Sequence, residues 1–170
     1  FKHIVDLRGK WKFKTEDDLR WAEPNFNDAS WEELYVPVPW GKQGHYDYSG
    51  IAWYRLKLYV PEKEARNQFT GITIGFVDSS YELYAGGRKI GRAGWLPPFP
   101  KMEYDRIGTF RVPRELFSED GQLVLALRVW KSDEKDDALG GPYERNFLLG
   151  PIDYLVKKEF LTEIPLLLLS

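Results

Sequence analysis

Short segments with two-residue periodicity, cut by glycine and proline, constrain this chain more than any other feature. In residues 53–60 (WYRLKLYV), Tyr54, Leu56, Leu58 and Val60 share one face, opposite Trp53, Arg55, Lys57 and Tyr59, and Pro61 ends the run. Residues 71–77 (GITIGFV) place Ile72, Ile74 and Phe76 on one side. Residues 81–85 meet Gly86-Gly87, a two-residue turn suited to positive φ, and Lys89-Ile90 returns, so a hairpin is expected. Residues 122–130 (QLVLALRVW) are apolar on both faces along most of their length, which predicts a strand in the middle of a sheet packed on both sides. Short strands joined by Gly/Pro turns predict an all-β fold, a β-sandwich or jelly roll.

Helical periodicity is confined to small pieces. Residues 17–22 suit one turn, residues 27–32 another with Asn27 or Asp28 as cap, and residues 113–117 a third with Pro113 at its first position. Residues 151–161 carry Ile152, Leu155, Val156 and Phe160 at helical spacing, so a short C-terminal helix is expected. This divides the chain into a β-sandwich over 1–150 and a helical segment over 151–170. Between them, residues 131–146 (KSDEKDDALGGPYERN) are polar and aperiodic, a long loop that is either functional or disordered.

The 170 residues make one domain, able to bury roughly 70% of its unfolded surface without a metal or disulfide. The chain starts at Phe1, which reads as a fragment or a processed product. Zero cysteines exclude disulfides, thiolate zinc sites and a cysteine nucleophile. With 24 Lys and Arg against 26 Asp and Glu, the chain lacks the basic excess of a nucleic-acid-binding domain. His3 and His45 form no ligand-spaced pair, Ser49, Ser79 and Ser80 lack the GxSxG context, and Gly86, Gly87, Gly91 and Gly94 match neither GxGxxG nor the P-loop. No metal, no cofactor and no catalytic residue is therefore expected. Asp133, Glu134, Asp136 and Asp137 could ligate calcium, but they lack EF-hand spacing, and a solvated charged loop is the stronger reading. The apolar tail at 164–169 is too short for a membrane span of ~20 residues; it reads as a terminal element packing on the core or as the beginning of a membrane helix.

Aromatic residues are 16% of the chain, and Trp11, Trp21, Trp31, Trp40 and Trp53 crowd its first third as expected core anchors. Trp40 and Trp95 stand in Pro/Gly loops, where a ring can stack on the apolar face of a sugar while Arg and Asp bond its hydroxyls; packing into the core is the competing reading. The candidate ligand-binding residues are Arg55, Asp78, Arg92, Trp95 and Trp40, with Arg128 and Trp130 as a second group. Arg55 and Asp78 could instead pair with each other across the sheet.

In order along the chain stand DLRGKWKF (6–13), NDASWE (27–32), VPVPW (36–40), GIAWYR (50–55), VDSSYELYAGG (77–87), residues 91–94 and LVLALRV (123–129). The series resembles the galactose-binding-like jelly roll that forms the amino-terminal sugar-binding domain of family 2 glycoside hydrolases, the β-galactosidases and β-glucuronidases. It covers roughly residues 4–131. Departures are the Gly86-Gly87 turn in place of Asn-Gly, the Leu96-Pro97-Pro98-Phe99-Pro100 stretch with residues 104–110 in place of a short link, and the ending through Gly140-Gly141-Pro142. That ending looks more like extracytoplasmic sensor domains of bacterial membrane signalling proteins such as SpoIIE-like phosphatases, diguanylate cyclases and histidine kinases. The resemblance implies a non-catalytic periplasmic or extracellular sensor domain that recognises a carbohydrate or similar polar small molecule and is membrane-linked through its C-terminal continuation. The alternatives are a sugar-binding accessory domain of a family 2 glycoside hydrolase, or a structural domain that forms a homodimer.

Overall fold

The computed structural model describes residues 4–134 and 138–163. Its strands are β1 (Val5–Asp6), β2 (Gly9–Thr15), β3 (Glu32–Val36), β4 (Gly50–Tyr59), β5 (Gly71–Ile74), β6 (Phe76–Asp78), β7 (Ser80–Ala85), β8 (Arg88–Ala93), β9 (Gly108–Arg111), β10 (Gln122–Lys131), β11 (Gly141–Glu144) and β12 (Leu148–Gly150). They form a six-stranded sheet in the order β3-β2-β4-β10-β7-β8, a four-stranded sheet β1-β12-β5-β9 and the pair β11-β6, all antiparallel. The protein is thus mostly β, with a short C-terminal helix.

β10 lies mid-sheet between β4 and β7, as its two apolar faces predict. Leu123, Leu125, Leu127 and Val129 enter the main core with Trp11, Phe13, Tyr54, Ile72 and Phe147. Ala126 faces the opposite way, into a second cluster with Trp21, Trp31, Trp53 and Tyr84. That outer cluster exists because residues 16–31 cross the back of the sheet as a strap, with Trp21 edge-on to Trp31 at 5.1 Å between ring centroids. The strap includes a 3-10 turn at Leu19–Ala22, capped by the Asp18 carboxylate accepting from the Arg20 amide.

Arg55 fastens the strap. Fully buried, it donates to Asp28 Oδ2 at 2.9 Å and to the carbonyls of Trp21, Glu23 and Phe26. The alternative pairing of Arg55 with Asp78 is therefore corrected. Arg55 points to the outer face of the six-stranded sheet, whereas Asp78 ends β6.

Two other expectations change. Residues 71–77 do not form one strand, because Gly75 breaks the run: a Cβ there would lie 2.5 Å from the Glu144 carbonyl, and β6 leaves its sheet to pair with β11. The long loop over 131–146 is shorter than expected, since β10 extends to Lys131 and β11 occupies Gly141–Glu144. The hairpin stands as expected, with Gly86 and Gly87 at φ 56° and 85° between β7 and β8.

A short helix α1 (Lys63–Arg66) ends in the buried Arg66, which donates to the carbonyls of Val60, Pro61 and Glu119. Helix α2 (Ile152–Glu163) buries Leu155 and docks across β5 and β9, where the Thr109 hydroxyl donates to Glu159 Oε2 at 2.6 Å. None of the described helices is long and apolar enough to cross a membrane. His3, Asp136, Asp137 and the apolar tail at 164–169 lie outside the described residues.

Replacing Arg55 with Met would leave the Asp28 carboxylate and three carbonyls of the strap without their donor. A loss of about 3–5 kcal/mol is expected on urea unfolding, as for other broken buried ion pairs, and Asp28→Asn should cost less, about 1–3 kcal/mol. Equal and small losses in both variants would show that the strap is held by its rings alone.

Candidate functional site

One end of the sandwich, where β10 emerges, gathers four pieces of chain. The Ser79 amide donates to the Trp130 carbonyl at 3.1 Å, so the turn between β6 and β7 is tied to the end of β10. A 3-10 turn at Trp40–Lys42 sits beside residues 138–141, with Trp40 N–H donating to Gly140 O and Gly41 N–H to Leu139 O, both at 2.9 Å. The loop leaving β8 folds back through the Trp95–Lys101 bridge, and the Glu103 amide then donates to the Ser79 carbonyl at 3.0 Å. A cavity of about 470 Å³ opens between these pieces, lined by Pro39, Lys42, Asp78, Tyr104, Asp105, Ala138, Leu139 and Tyr143.

Asp78 is buried at its wall. One carboxylate oxygen accepts from the Ser79 hydroxyl at 2.7 Å and the other from the Gly140 amide at 2.9 Å. The acid thereby holds the 138–141 segment in place as well as lining the cavity. The Tyr143 hydroxyl donates to Asp105, and burial, with that carboxylate beside it, pushes the phenol well above its ordinary pKa. The Tyr104 hydroxyl lies 3.3 Å from Ser79 Oγ. Hydroxyl donors, carboxylate acceptors and the apolar surfaces of Pro39 and Leu139 make a site suited to a polyol with an apolar face. Ser79 Oγ donates to a carboxylate, and His45 is bonded to Glu32 at 2.6 Å, so the described residues join no serine to an imidazole. Among them, no cluster of three His, Cys, Asp or Glu could hold a metal ion.

The other residues expected from the sequence fall into three places. Trp40 is fully buried in the main core, its ring 5.9 Å from Phe13 and 5.7 Å from Tyr48, and it cannot offer a face to a ligand. This corrects the stacking role expected of Trp40. Its ring lies so close to Gly140 that a Cβ there would come within 2.1 Å of it, so Trp40 forms the floor on which the cavity's loop rests. Arg92 and Trp95 are brought together at the edge of the same end of the sandwich. The guanidinium lies 3.1 Å from the indole centroid and the ring stays 51% exposed, a steadied platform with surface left for a ligand.

Arg55 is corrected too, because its donors point to Asp28 and the strap carbonyls. Arg128 is likewise engaged, donating to Asp17 Oδ2 at 2.6 Å and Glu82 Oε1 at 2.7 Å on the outer face. Trp130, half-buried, faces outward beside Ile51 and Ser80, away from the cavity. Among the seven residues only Asp78 lines the cavity. Sequence reasoning missed Lys42, Tyr104, Asp105, Leu139 and Tyr143. Their signal was positional: the two irregular stretches, 96–110 and 131–146, supply four of these five.

No family model matches the chain. In sequence it is similar to a candidate β-glucuronidase of Formosa agariphila, 27% identical over a 137-residue alignment that covers 74% of this chain and 12% of that protein. It is also similar to a β-galactosidase of Vibrio vulnificus, 30% identical over a 110-residue alignment that covers 50% of this chain and 10% of that one. In structure it is similar to a β-glucuronidase from glycoside hydrolase family 2, with a TM-score of 0.71 and 18% identity over 86% of this chain and 17% of that one. These likenesses show a shared β-sandwich fold with domains of family 2 glycoside hydrolases. The chain spans 12% and 10% of the length of the two curated relatives.

The two tryptophans should separate cleanly by mutation. Trp40→Ala is expected to cost about 3–5 kcal/mol in denaturant unfolding, as for other large buried rings, and Trp95→Ala at most about 0.5 kcal/mol. A large loss at Trp95 would place that ring in the core instead.

The outer-face ion network sets an acid limit. Burial opposes the charged forms of Asp17 and Glu82, but hydrogen bonds from Arg128, Trp53 and Lys89 outweigh it, and both carboxyls are held below their ordinary range. Folded-state pKa values below the unfolded ones give stability that is full above the ordinary range of about 4 and lost as pH falls through the folded values. Arg128→Met should therefore lower stability most near neutral pH, with the gap to wild type closing toward about pH 3. A gap that stays constant across a urea-unfolding series in pH would refute this.

Proposed function

We propose that this chain is a non-catalytic, sugar-recognising β-sandwich module accompanying the catalytic part of a family 2 glycoside hydrolase. The observation that carries the reading is a cavity of about 470 Å³, lined by tyrosines and carboxylates, in a chain whose similar proteins are β-galactosidases and β-glucuronidases. Because the chain spans only about a tenth of those relatives, hydrolysis itself is assigned to another part of the polypeptide. The comparisons support this accessory role better than the sensor role, so the sensor role, with its membrane linkage, is set aside.

In this reading a sugar ring enters between Tyr104 and Tyr143. Its hydroxyls exchange hydrogen bonds with Tyr104, Asp105 and Lys42, and its C–H face lies against Pro39 and Leu139. The core below is fixed by Trp40 and Asp78, so the loops are pre-organised and little ordering entropy opposes binding. Arg92 and Trp95 extend the site outward and offer a second ring for a longer saccharide.

A thermal-shift series against galactose, glucuronate and their disaccharides tests the proposal. A ligand of the folded state at a hundredfold excess over its Kd should stabilise the protein by about 2.7 kcal/mol, visible as a rise of several degrees. Tyr104→Ala should abolish the rise while leaving the unliganded melting temperature nearly unchanged, since Tyr104 is exposed. No shift with any of these sugars would sink the reading.

A further inference from the structure

The back of the six-stranded sheet carries a second surface that this function does not use. Along β2, Lys10, Lys12 and Lys14 alternate with the core residues Trp11 and Phe13, so all three ammonium groups project from the outer face at intervals of about 7 Å. Lys12 stands opposite Arg55 on β4 and Lys14 opposite Trp53. In that antiparallel register Lys57 is the next outward residue of β4 beside Lys10. On the other flank, β3 sets Tyr35 opposite Lys10 and Glu33 opposite Lys12. The result is a strip along β3 and β2 that reaches Lys57 of β4, bordered by the strap where it covers Trp53 and Arg55, and its outward strand residues carry four lysines against the acid Glu33.

None of the four lysines takes part in an ion pair among the described residues. The arginines nearby do: Arg55 is paired with Asp28, and Arg128 with Asp17 and Glu82. Lys10 and Lys14 instead hover over rings, 5.6 Å from the Tyr35 centroid and 5.8 Å from that of Trp21. Tyr35 is 54% exposed and Tyr59, farther along β4, 63% exposed. Like charges on adjacent strand positions repel each other and give the fold nothing in return. A protein of net charge −2 that concentrates unpaired cations on one strip has a local field opposite to its overall one.

We propose that this strip binds a linear anionic polysaccharide, one bearing carboxylate or sulfate groups along its length. The lysines meet the repeating anions, and the exposed face of Tyr35 stacks on a sugar between them. The overall negative charge disfavours duplex nucleic acid and anionic bilayers, extended polyanions that would also confront the acidic remainder of the molecule. A single flexible glycan can follow the strip alone. The site is separate from the end cavity, so the surface would hold a polymeric substrate while the cavity reads one sugar of it.

Affinity electrophoresis through gels containing polygalacturonate or heparin tests this, with neutral galactan and duplex DNA as comparison polymers. Retardation by both anionic glycans at low salt, lost on raising the salt, is expected. Lys10→Glu combined with Lys57→Glu should weaken it roughly tenfold or more, and Lys10→Ala with Lys57→Ala less so, each with an unchanged melting profile. Both lysine pairs lie outside the end cavity and should keep the full thermal shift with small sugars, so failure here and failure of the cavity reading are distinguishable. Absence of retardation by either glycan would overturn the proposal. So would retardation that survives both lysine variants, or duplex DNA held as tightly as the glycans.

Discussion

The six-stranded sheet must be covered on both faces, and the rest of the structure is arranged around that need. β10 and β4 carry apolar side chains inward and Ala126, Trp53 and Arg55 outward. The four-stranded sheet closes the inner face, but among the described residues no second sheet closes the outer one. The strap of residues 16–31 does so with the rings of Trp21, Phe26 and Trp31, fastened by the guanidinium of Arg55 from β4. Arg55 suits the task because a planar cation with five donors can satisfy a carboxylate and several carbonyls at once, where a lysine would offer a point charge. With the strap fastened, Trp53 and Ala126 are buried from both sides, and the central strands become the rigid body on which every loop is mounted.

The cavity inherits its geometry from this body. Its nearest support is Trp40, whose ring packs on Phe13 and Tyr48 below and leaves room above only for glycine at 140. Gly141, the next residue, adopts φ 80° and lies against the Tyr54 hydroxyl, where a Cβ would come within 2.3 Å. Two consecutive glycines thus let residues 138–141 settle onto aromatic core residues, and Asp78 fastens them from the side. A loop seated in this way presents Leu139 and Tyr143 at fixed positions, and such positioning is what a small polar ligand requires of its site.

How much of this was legible in the sequence depended on whether a residue's partner was near or far in the chain. The hairpin at Gly86-Gly87, the central position of β10 and the C-terminal helix follow from local period and turn chemistry, and each stands where expected. The break at Gly75 was illegible because its cause is the Glu144 carbonyl, nearly seventy residues away. The same holds for the site. Asp78, chosen for its place at the end of a strand, lines the cavity, and Arg92 and Trp95, close in sequence, are in contact with each other. Arg55 and Arg128 were misassigned, since nothing local shows that Asp28 and Asp17 wait for them. Tyr104 and Tyr143 belong to irregular stretches in which no period marks a direction, so only the folded chain shows that they line one cavity.

The fate of the charged residues separates architecture from recognition on physical grounds. A buried guanidinium has to satisfy its donors within the protein, and Arg55 and Arg66 do so almost entirely with backbone carbonyls of segments that would otherwise detach. Arg128 spends its donors on two carboxylates of the outer face. Cations so engaged cannot release their partners to a ligand without losing structure. Arg92 is different, for its guanidinium carbon lies 3.1 Å from the Trp95 ring centroid and it takes part in no ion pair among the described residues. The lysines of β2 and β4 differ in the same sense, being held by no carboxylate and carried on a strip with a net positive charge. In a chain whose buried cations are each committed to a structural partner, the uncommitted ones mark the surfaces free to meet another molecule.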